Sequence, residues 1–600
     1  MLKKIFLPSI FIILAYGFWI SPDFKEIAAG VAIFLFGMLS LEQGFKSFTG
    51  GALEKILKSS TDKRWKSIGF GIVTTTIMQS SSLVSVITIS FLSAGLLGLS
   101  QGVGIIFGAN LGTTTGAWLV AGLGLKVKIS AYAMPMLVFG VLLIFQKNKS
   151  FKGIGYILSG LGFLFLGIHY MKEGFEAFKG TIDLAQFAIS GYLGLFVFAG
   201  IGLISTVIMQ SSHATLVLII TALSAQQITY ENALALAIGA NVGTTITAIL
   251  GAMSASIEGK QLAGAHLIFN LVTGLIAIIF IQPFLVSVDF VSAAVGIADN
   301  DYTLKLAVFH TLFNLTGVLV MLPLIDKLVI LLQRYFKASP SQVKGAKYLH
   351  SASIDFPETA VEAIRKETLH IYGYAAKMIF TSLNVTKGDI RSTKTIEEIV
   401  EQPKRMQPID LDLEYEQKIK GIYSEIIEFI SKAAFTWEVE QSASIYWLRN
   451  ANKNIVEALK ALKHLNKNMS VYMHSSNPNV REQYNFLRIQ ILLVMRELER
   501  LKNQNPEQGV VVLSFDALKL SMKENENKFN DNLITMLQKG SILPSLVTSL
   551  MNDSSYAFGI ANNLIDMAAT LFSNYDEAQV KVEREVALDA HEIESMAKDN

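Results

Sequence analysis

Long apolar runs separated by short polar segments fill the first half of the chain. A helix that crosses a bilayer needs roughly 20 predominantly apolar residues, and eight segments approach or reach that length. They lie at about 5–20, 27–45, 101–122, 127–145, 153–171, 231–252, 261–282 and 304–325. The pattern predicts an all-α, polytopic membrane transport domain over residues 1–337, with a polar helical domain over 338–600.

The first of these segments, Ile5–Ile20, follows Lys3 and Lys4. Secretory signals and short membrane helices share a basic start and an apolar run, so both interpretations stand. We favour a retained helix, because no small-residue cleavage pattern precedes Pro22 and because Trp19 suits an interfacial anchor.

Two apolar stretches are too short to cross a bilayer, and they flank a polar motif. As helices, Ser67–Gln79 and Leu83–Leu97 would each span only about 20 Å of a hydrocarbon core that is roughly 30 Å thick. We therefore expect them to be the arms of a re-entrant hairpin with Gln79-Ser80-Ser81-Ser82 at its tip. The segments around Gln210-Ser211-Ser212 are expected to form a second hairpin of the same kind.

An internal duplication relates the two hairpins. Three segments recur in the same order at an offset of about 130 residues. The matched segments are Gly30–Gly37 with Gly160–Gly167, Ile77–Ser81 with Ile208–Ser212, and Gly108–Thr114 with Gly239–Thr245. The first copy covers about 27–145 and the second about 157–282, followed by a last helix at about 304–325.

The number of predicted crossings between matched points is odd, so the second copy is expected to be inverted relative to the first. Inverted repeats with broken helices are typical of secondary transporters, whose solute lies near the membrane midplane at the repeat interface. A duplication for helix packing is the alternative, because Gly and Ser also serve close helix contacts in lipid. Packing alone does not explain polar tips at matched positions, where unpaired backbone in lipid is costly.

The placement of basic residues predicts the orientation in the membrane. The crossing count puts most basic segments on one side, which the positive-inside rule makes cytoplasmic. These segments are Lys3–Lys4, Lys46–Lys66, Lys147–Lys152 and the chain after Lys327. Both termini are therefore expected in the cytoplasm of a cell that carries this multi-pass protein in its plasma or inner membrane, with the loop 285–303 outside.

The segments that hold the two tips carry no charged residue. No Asp, Glu, Lys or Arg lies between Lys66 and Lys126, or between Asp183 and Glu231. Hydroxyl, amide and backbone oxygens suit a sodium ion, and helix N-termini suit an anion. A proton relay usually needs Asp, Glu or His in the membrane, so the absence of carboxylates favours sodium coupling.

Asn110 and Asn241 stand in the duplicated Gly-Ala-Asn-x-Gly-Thr-Thr segments. The flanking glycines permit an unwound backbone, from which Asn and Thr oxygens would point at an ion. A helix break without any ligand is the alternative.

Two later segments place a His and an Asn four residues apart, hence on one helix face. The pairs are His266 with Asn270 and His310 with Asn314. Helix packing is the favoured interpretation of both pairs. His213, at the position that matches Ser82, either lines the pathway or fills space.

The paired tips, the paired Gly-Ala-Asn-x-Gly-Thr-Thr segments and His266-x-x-Phe269-Asn270 together resemble the type II sodium-dependent phosphate cotransporter family, over residues 27–325. The resemblance implies inorganic phosphate as the solute and sodium as the co-transported ion, and no organic cofactor or other metal is expected. The predicted substrate and sodium ligands are Gln79, Ser80, Ser81, Ser82, Asn110, Thr113, Thr114, Gln210, Ser211, Ser212, Asn241, Thr244 and Thr245. The further candidates are His213, His266, Asn270, His310 and Asn314. His213 departs from the third serine that the family usually carries.

Residues 338–600 carry 30 Lys/Arg against 35 Asp/Glu, whereas residues 1–337 carry 21 against 14. Apolar spacing at i, i+3, i+4 and i+7 predicts helices at about 357–386, 411–435, 439–473, 478–505, 515–540 and 542–574. This half resembles the PhoU-like domains of bacterial family members, which implies a regulatory or docking role. Such domains can bind metal through carboxylates, but the comparable stretches 449–454 and 561–566 carry mostly amides, so no site is assigned here.

The leading prediction is a secondary active transporter that moves phosphate with sodium in either direction. A membrane-anchored phosphate sensor that binds without transporting is the alternative, and a channel is less favoured because opposed hairpins suit alternating access. No enzyme is predicted, since the tip serines have no general base in their motifs. Expected partners are phosphate, sodium and lipid, with a homo-oligomer or a cytoplasmic regulatory partner through 338–600, and no nucleic acid.

Overall fold

The computed structural model describes residues 2–49, 63–125, 130–179, 184–337, 345–354, 356–402, 409–434, 442–502, 511–572 and 592–595. Within these ranges all regular secondary structure is helical. The chain divides into two compact units. Met1–Ser339 with His350–Thr359 form the first, and Pro340–Leu349 with Ala360–Asn600 form the second.

Helices of the first unit follow one another with short breaks in the described ranges. They are α1 (Leu2–Ile20), α2 (Pro22–Thr49), α3 (Arg64–Met78), α4 (Ser81–Ser93), α5 (Leu99–Gly112), α6 (Thr114–Trp118), α7 (Ser130–Ile144), α8 (Lys149–Lys179), α9 (Gly191–Met209), α10 (Ser212–Ser224), α11 (Tyr230–Gly243), α12 (Thr245–Ala252), α13 (Ile257–Ile279), α14 (Ile281–Ala294), α15 (Tyr302–Met321) and α16 (Ile325–Tyr335). A π-helical turn, Leu119–Gly124, extends α6.

Seven helical segments of the described residues are long and apolar enough to cross a membrane, so the chain is a multi-pass membrane protein. They are Pro22–Phe45, Leu99–Gly122, Lys149–Lys179, Gly191–Met209, Tyr230–Ala252, Ile257–Ile279 and Tyr302–Tyr335. The two segments that contain the duplicated Gly-Ala-Asn motif are the most deeply enclosed by protein. The motif helices therefore form the centre of the unit.

The predicted spans differ from this set in three places. Segment 5–20 forms α1, and 127–145 forms α7 where it is described, but neither is among the seven. The arm before the second tip, α9, has 19 residues and is long enough to cross, about 28 Å. The prediction that both first arms are short is therefore wrong for α9, although α3, with 15 residues, keeps the predicted length.

The predicted outer loop 285–303 is helical in its first half, where α14 lies. The run Phe284–Val288 continues the apolar pattern, so a helix buries more apolar surface there than a loop would. Asp289 on α14 accepts a hydrogen bond from Lys305 Nζ of α15 at 2.8 Å. This ion pair ties the end of α14 to the beginning of α15.

The duplicated helices α2 and α8 pack directly against each other. Their glycines pair in antiparallel order: Gly30 with Gly167, Gly37 with Gly160, and Gly44 with Gly153. A Cβ atom at Gly37 would lie 2.8 Å from the Gly160 carbonyl oxygen, and one at Gly160 would lie 2.8 Å from the Gly37 oxygen. Because the contact is reciprocal, the two copies meet along matched surfaces that run in opposite directions.

In its described residues the second unit contains both long helices and short helical segments. Its described α-helices are α17 (Pro357–Ser382), α18 (Lys387–Arg391), α19 (Ile396–Glu401), α20 (Leu411–Tyr415), α21 (Gly421–Ala434), α22 (Ser442–Tyr472), α23 (Pro478–Lys502), α24 (Val511–Gln538) and α25 (Pro544–Leu571). The breaks predicted at Pro478 and Gly540 are present, and Gly540 adopts φ +65°. The break predicted at Asn505-Pro506 lies outside the described residues. The short α18 and α19 were not predicted, and each begins with a capping box, at Thr386 and Thr395.

Candidate functional site

The first tip, Gln79–Ser82, is a sharp turn between two helices. Gln79 ends α3 in the left-handed region, with φ 52° and ψ 25°, and Ser80 is extended. The Ser80 hydroxyl then accepts a hydrogen bond from the Leu83 backbone N–H at 3.2 Å, which caps the beginning of α4. A left-handed non-glycine residue is strained by about 1–3 kcal/mol, and such strain is concentrated at functional sites.

The second tip, Gln210–His213, repeats this geometry. Gln210 has φ 54° and ψ 22°, Ser211 is extended, and the Ser211 hydroxyl accepts from the Ala214 backbone N–H at 3.1 Å. The agreement shows that the duplicated sequence is also a duplicated local structure. In both tips the first turn of a 13-residue helix, α4 or α10, lies directly after the polar residues.

The geometry that the two copies share extends to the motif helices that pack behind each tip. A Cβ atom at Gly108 would lie 2.0 Å from the Ile68 carbonyl oxygen, and one at Gly239 would lie 1.8 Å from the Ala199 oxygen. These glycines let the arm before each tip approach the motif helix at backbone distance. α5 ends at Gly112 and α11 ends at Gly243, so a helix break follows each motif glycine, although Thr113 and Thr244 keep right-handed helical backbone angles.

The predicted threonines all donate to backbone carbonyls three or four residues earlier in the chain. Thr113 donates to Asn110, Thr114 to Leu111, Thr244 to Ala240 and Thr245 to Val242, at 2.6, 2.8, 3.2 and 2.8 Å. Each threonine hydroxyl hydrogen is therefore already in a hydrogen bond, and the hydroxyl oxygen can act only as an acceptor or a ligand through its lone pairs. That arrangement suits a cation more than an anion.

The two motif asparagines are oriented by different partners. Asn110 donates from Nδ2 to the Ile106 carbonyl of its own helix at 2.8 Å. Asn241 donates from Nδ2 to Asn270 Oδ1 at 2.9 Å and to Asn314 Oδ1 at 3.1 Å. Both Nδ2 hydrogens of Asn241 are thus used, which leaves its amide oxygen as an acceptor.

The two His-x-x-Phe-Asn segments, 266–270 and 310–314, therefore both contact the Gly-Ala-Asn motif of the second copy through Asn241. Both asparagines are completely buried. His266 and His310 are buried beside them, and within the described residues neither nitrogen of His266, nor His310 Nδ1, nor Asn270 Nδ2 has a hydrogen-bond partner. This is a neutral polar cluster inside the unit, and its members come from three helices.

The candidate ligands differ in accessibility. Gln79, Ser80 and Ser82 are half-buried, Ser81 is buried, and Gln210 is exposed. Gln79 Nε2 donates to the Thr76 carbonyl at 2.5 Å and to Thr115 Oγ1 at 3.2 Å. Thr115 was not predicted, although it directly follows the motif threonines.

Each tip also contacts the helix that follows the motif segment of the other copy. Ser82 Oγ lies 3.1 Å from Thr247 Oγ1. His213 packs over Gly116, where a Cβ atom would lie 2.2 Å from the imidazole Cε1. Thr247 and Gly116 were not among the predicted site residues. The repeat offset could have identified them, because the offset that relates Ser82 to His213 also relates Gly116 to Thr247.

Comparisons with known proteins show to which family the chain belongs. The family model described as "Na+/Pi-cotransporter" matches residues 33–173 and 190–297. A Bacillus subtilis (strain 168) protein, "Uncharacterized protein YqeW", is 30% identical over 306 residues, which cover 50% of this chain and 94% of the relative. The chain belongs to the Na+/Pi-cotransporter family.

Other similar proteins of this kind carry a functional name. An Escherichia coli (strain K12) protein, "Putative inorganic phosphate export protein YjbB", is 27% identical over 382 residues, or 63% of this chain and 68% of the relative. Its Salmonella typhimurium counterpart of the same name is 25% identical over 381 residues. No solved structure gives a significant match.

The Na+/Pi-cotransporter match encloses most of the site. It includes both tips, both motif segments, and His266 with Asn270, and it ends before His310 and Asn314. It also ends before the second unit, so the PhoU-like assignment of that unit stays a prediction.

Proposed function

We propose that this protein is a secondary transporter that moves inorganic phosphate together with sodium through a site between its two copies. The observation that carries the proposal is the pair of strained, serine-capped tips set against each other's motif helices. The antiparallel contact of α2 with α8 supports an inverted arrangement of the copies, which is the architecture that alternating access uses.

The sodium part of the proposal rests on the donor set. Hydroxyl and amide oxygens surround the tips, and the motif threonines present lone pairs because their hydrogens are bound to backbone carbonyls. Oxygen atoms without hydrogens directed at the ligand are what a hard cation needs. Asn110 and Asn241 supply amide oxygens in the same two segments.

The phosphate part rests on the helices that begin at the tips. The first-turn N–H groups of α4 and α10 are directed towards the tip residues, and helix N-termini favour anions. No Lys or Arg lies in the sequence from Ser67 to Leu125 or from Leu184 to Ala252. Because no fixed positive charge is supplied there, co-bound sodium neutralises the phosphate, which gives a physical reason for coupling.

Direction and orientation belong to the same proposal. The mechanism operates either way, and the YjbB relatives are named for export. We place both termini in the cytoplasm, and the second unit as a regulatory domain there.

The test is radiolabelled phosphate flux into proteoliposomes that contain the full chain. Flux should require sodium, should fall when choline replaces it, and should resist competition by sulfate and dicarboxylates. Flux that persists on a proton gradient without sodium contradicts the coupling. Binding of phosphate without sodium-dependent flux favours the sensor instead.

Two serine variants test the site itself. Ser80→Ala and Ser211→Ala each remove a cap and a candidate ligand, so flux should fall at least about tenfold, since a lost cap and ligand together amount to more than about 1.4 kcal/mol. Ser90→Ala is the matched control, because Ser90 is buried in α4 away from the tip and its hydroxyl has no partner among the described residues. Unchanged flux and sodium affinity in both tip variants would remove the site assignment.

A further inference from the structure

The contacts between each tip and the opposite copy occur at matched positions. The offset that relates Gln79 to Gln210 also relates Ser82 to His213 and Gly116 to Thr247. Ser82 in the first tip therefore faces Thr247 in the second copy, and His213 in the second tip faces Gly116 in the first copy. The duplicated scaffold builds the same contact twice, with different residues in it.

In the first contact two hydroxyls meet. Ser82 Oγ and Thr247 Oγ1 are 3.1 Å apart. Thr247 Oγ1 also forms a hydrogen bond to the Thr244 carbonyl oxygen at 2.8 Å. Both side chains are half-buried, so they remain accessible. Two hydroxyl oxygens and a carbonyl oxygen at the meeting point of two copies form an oxygen-only donor set, of the kind a sodium ion takes.

In the second contact an imidazole fills the corresponding space. A Cβ atom at Gly116 would lie 2.2 Å from His213 Cε1 and 2.8 Å from both ring nitrogens, so only glycine fits beneath the ring. The ring also lies against Phe34, with centroids 5.7 Å apart, and close to the backbone of Gln79 in the first tip. No hydroxyl pair exists at this position.

The sizes of the two pairs are complementary. A small Ser faces a branched Thr in one contact, and a large His faces Gly in the other. Close packing requires such a match, because an added side-chain atom at 2.2 Å has no room and a removed ring leaves a cavity. His213 and Gly116 are therefore a matched pair, and the substitution of one residue depends on the other.

We propose that Ser82 and Thr247 form a sodium-binding contact between the copies and that His213, seated on Gly116, closes the equivalent contact in the other half. This rests on the proposed function and specifies it: the chain carries one sodium fewer per phosphate than a symmetrical chain with two hydroxyl pairs. His213 and Gly116 determine the stoichiometry, and neither needs to touch phosphate.

The first test is a rescue. Gly116→Thr alone should reduce phosphate flux at least about tenfold, because the new side chain collides with the His213 ring. His213→Ser alone should be less harmful, since it leaves a cavity. The double variant Gly116→Thr with His213→Ser rebuilds the Ser–Thr pair and should recover most of the flux. A double variant as inactive as Gly116→Thr argues against the matched pair.

The second test measures the ratio of sodium to phosphate in the same vesicles, with labelled sodium and labelled phosphate. The double variant should transport one more sodium per phosphate than the unmodified chain. Ser82→Ala with Thr247→Val, which removes the existing hydroxyl pair, should transport one fewer and require more sodium for half-maximal flux.

The outcomes separate this inference from the function it rests on. If the unmodified chain shows no sodium-dependent phosphate flux, the proposed function fails. If that flux is present and the ratio is unchanged in both double variants, the function stands and this inference is overturned. If the rebuilt double variant does not fold, the Ser82→Ala with Thr247→Val ratio decides alone.

Discussion

In the described part of the first unit the buried polar groups are amides, hydroxyls and imidazoles, apart from Lys305 beside Asp289, whereas in the second unit they include carboxylates held by cationic and phenolic partners. Asn241, Asn270 and Asn314 form the buried cluster of the first unit. Glu499, only 4% exposed in its side chain, is held by Arg391 at 2.8 Å and Lys387 at 3.3 Å in the second.

This difference fits the membrane setting of the first unit. A charge buried near hydrocarbon has few ways to be neutralised, so neutral groups in helix breaks supply polarity in a membrane interior. A helical unit in water can bury a carboxylate if partners remain within reach. The segments around the two tips carry no charge, so in the proposed mechanism the charge of a bound solute is balanced by the ions that bind with it.

The largest expected effect comes from placing a charge in the neutral cluster. Asn241→Asp removes both donated hydrogens and sets a carboxylate against the oxygens of Asn270 and Asn314. The free energy of unfolding should fall by about 3–5 kcal/mol, the range for an uncompensated buried charge. Phosphate flux should fall more than about 100-fold.

The matched control for that variant lies in the second unit. Asn485 is half-buried and accepts a hydrogen bond from Arg488 Nη1 at 2.9 Å, so Asn485→Asp gains an ion pair. Thermal unfolding of the full chain in detergent should change little for this variant. Equal losses in both variants would remove the contrast between the units.

A smaller effect is expected from close helix contact in α9. A Cβ atom at Gly202 would lie 2.1 Å from the Leu236 carbonyl oxygen, whereas one at Gly200 meets nothing within 4 Å. Gly202→Ala should lower the stability of the first unit by about 1–3 kcal/mol through overpacking, and Gly200→Ala should be neutral. Detergent unfolding of both variants measures the difference, and equal midpoints would contradict the contact.

The ionic interior of the second unit should respond to pH. Burial opposes the charge of Glu499, but hydrogen bonds from Arg391 and Lys387 and their charges outweigh it and lower its pKa. The stabilisation is therefore present above the unfolded pKa of about 4.3 and is lost as pH falls through the lower folded value.

Glu499→Gln measures this stabilisation. At pH 7 it should destabilise the unit by about 1–3 kcal/mol, a reduced value because both cationic partners are half-exposed. The difference from the unmodified chain should shrink below pH 4. Hydrogen exchange of α23 in the full chain measures it, and a pH-independent difference would contradict the ionic explanation.

The smallest effect, of opposite sign, is expected at Asp553. Burial raises its pKa against hydrogen bonds from Tyr484 and Asn468. A raised folded pKa gives stability that is present at low pH and is lost as pH rises through that value. Asp553→Asn keeps an acceptor for Tyr484 and should change stability by less than about 1 kcal/mol at pH 7, while removing this pH dependence in the same exchange measurement.

The sequence alone predicted the features that repeat or that depend on length. The apolar runs indicated most of the spans, and the offset of about 130 residues located both tips and both Gly-Ala-Asn segments. Such features are readable because a membrane helix needs a minimum apolar length and because a duplication leaves the same letters twice.

Other features depended on which helices became neighbours. The glycines of the Gly-Ala-Asn segments serve backbone contact with the arms of the tips, and no local pattern distinguishes that role from unwinding. The left-handed angles of Gln79 and Gln210 are likewise not a preference of glutamine, so the surrounding packing must impose them.

The sequence by itself determined that this is an all-helical membrane protein with a duplicated polar motif and a charge-free motif region, because composition and repetition are properties of the chain. Only the tertiary structure decided that Asn270 and Asn314 orient Asn241, and that Ser82 faces Thr247 while His213 covers Gly116. Those contacts join residues more than 25 positions apart, and their geometry follows from helix packing, which no single segment encodes.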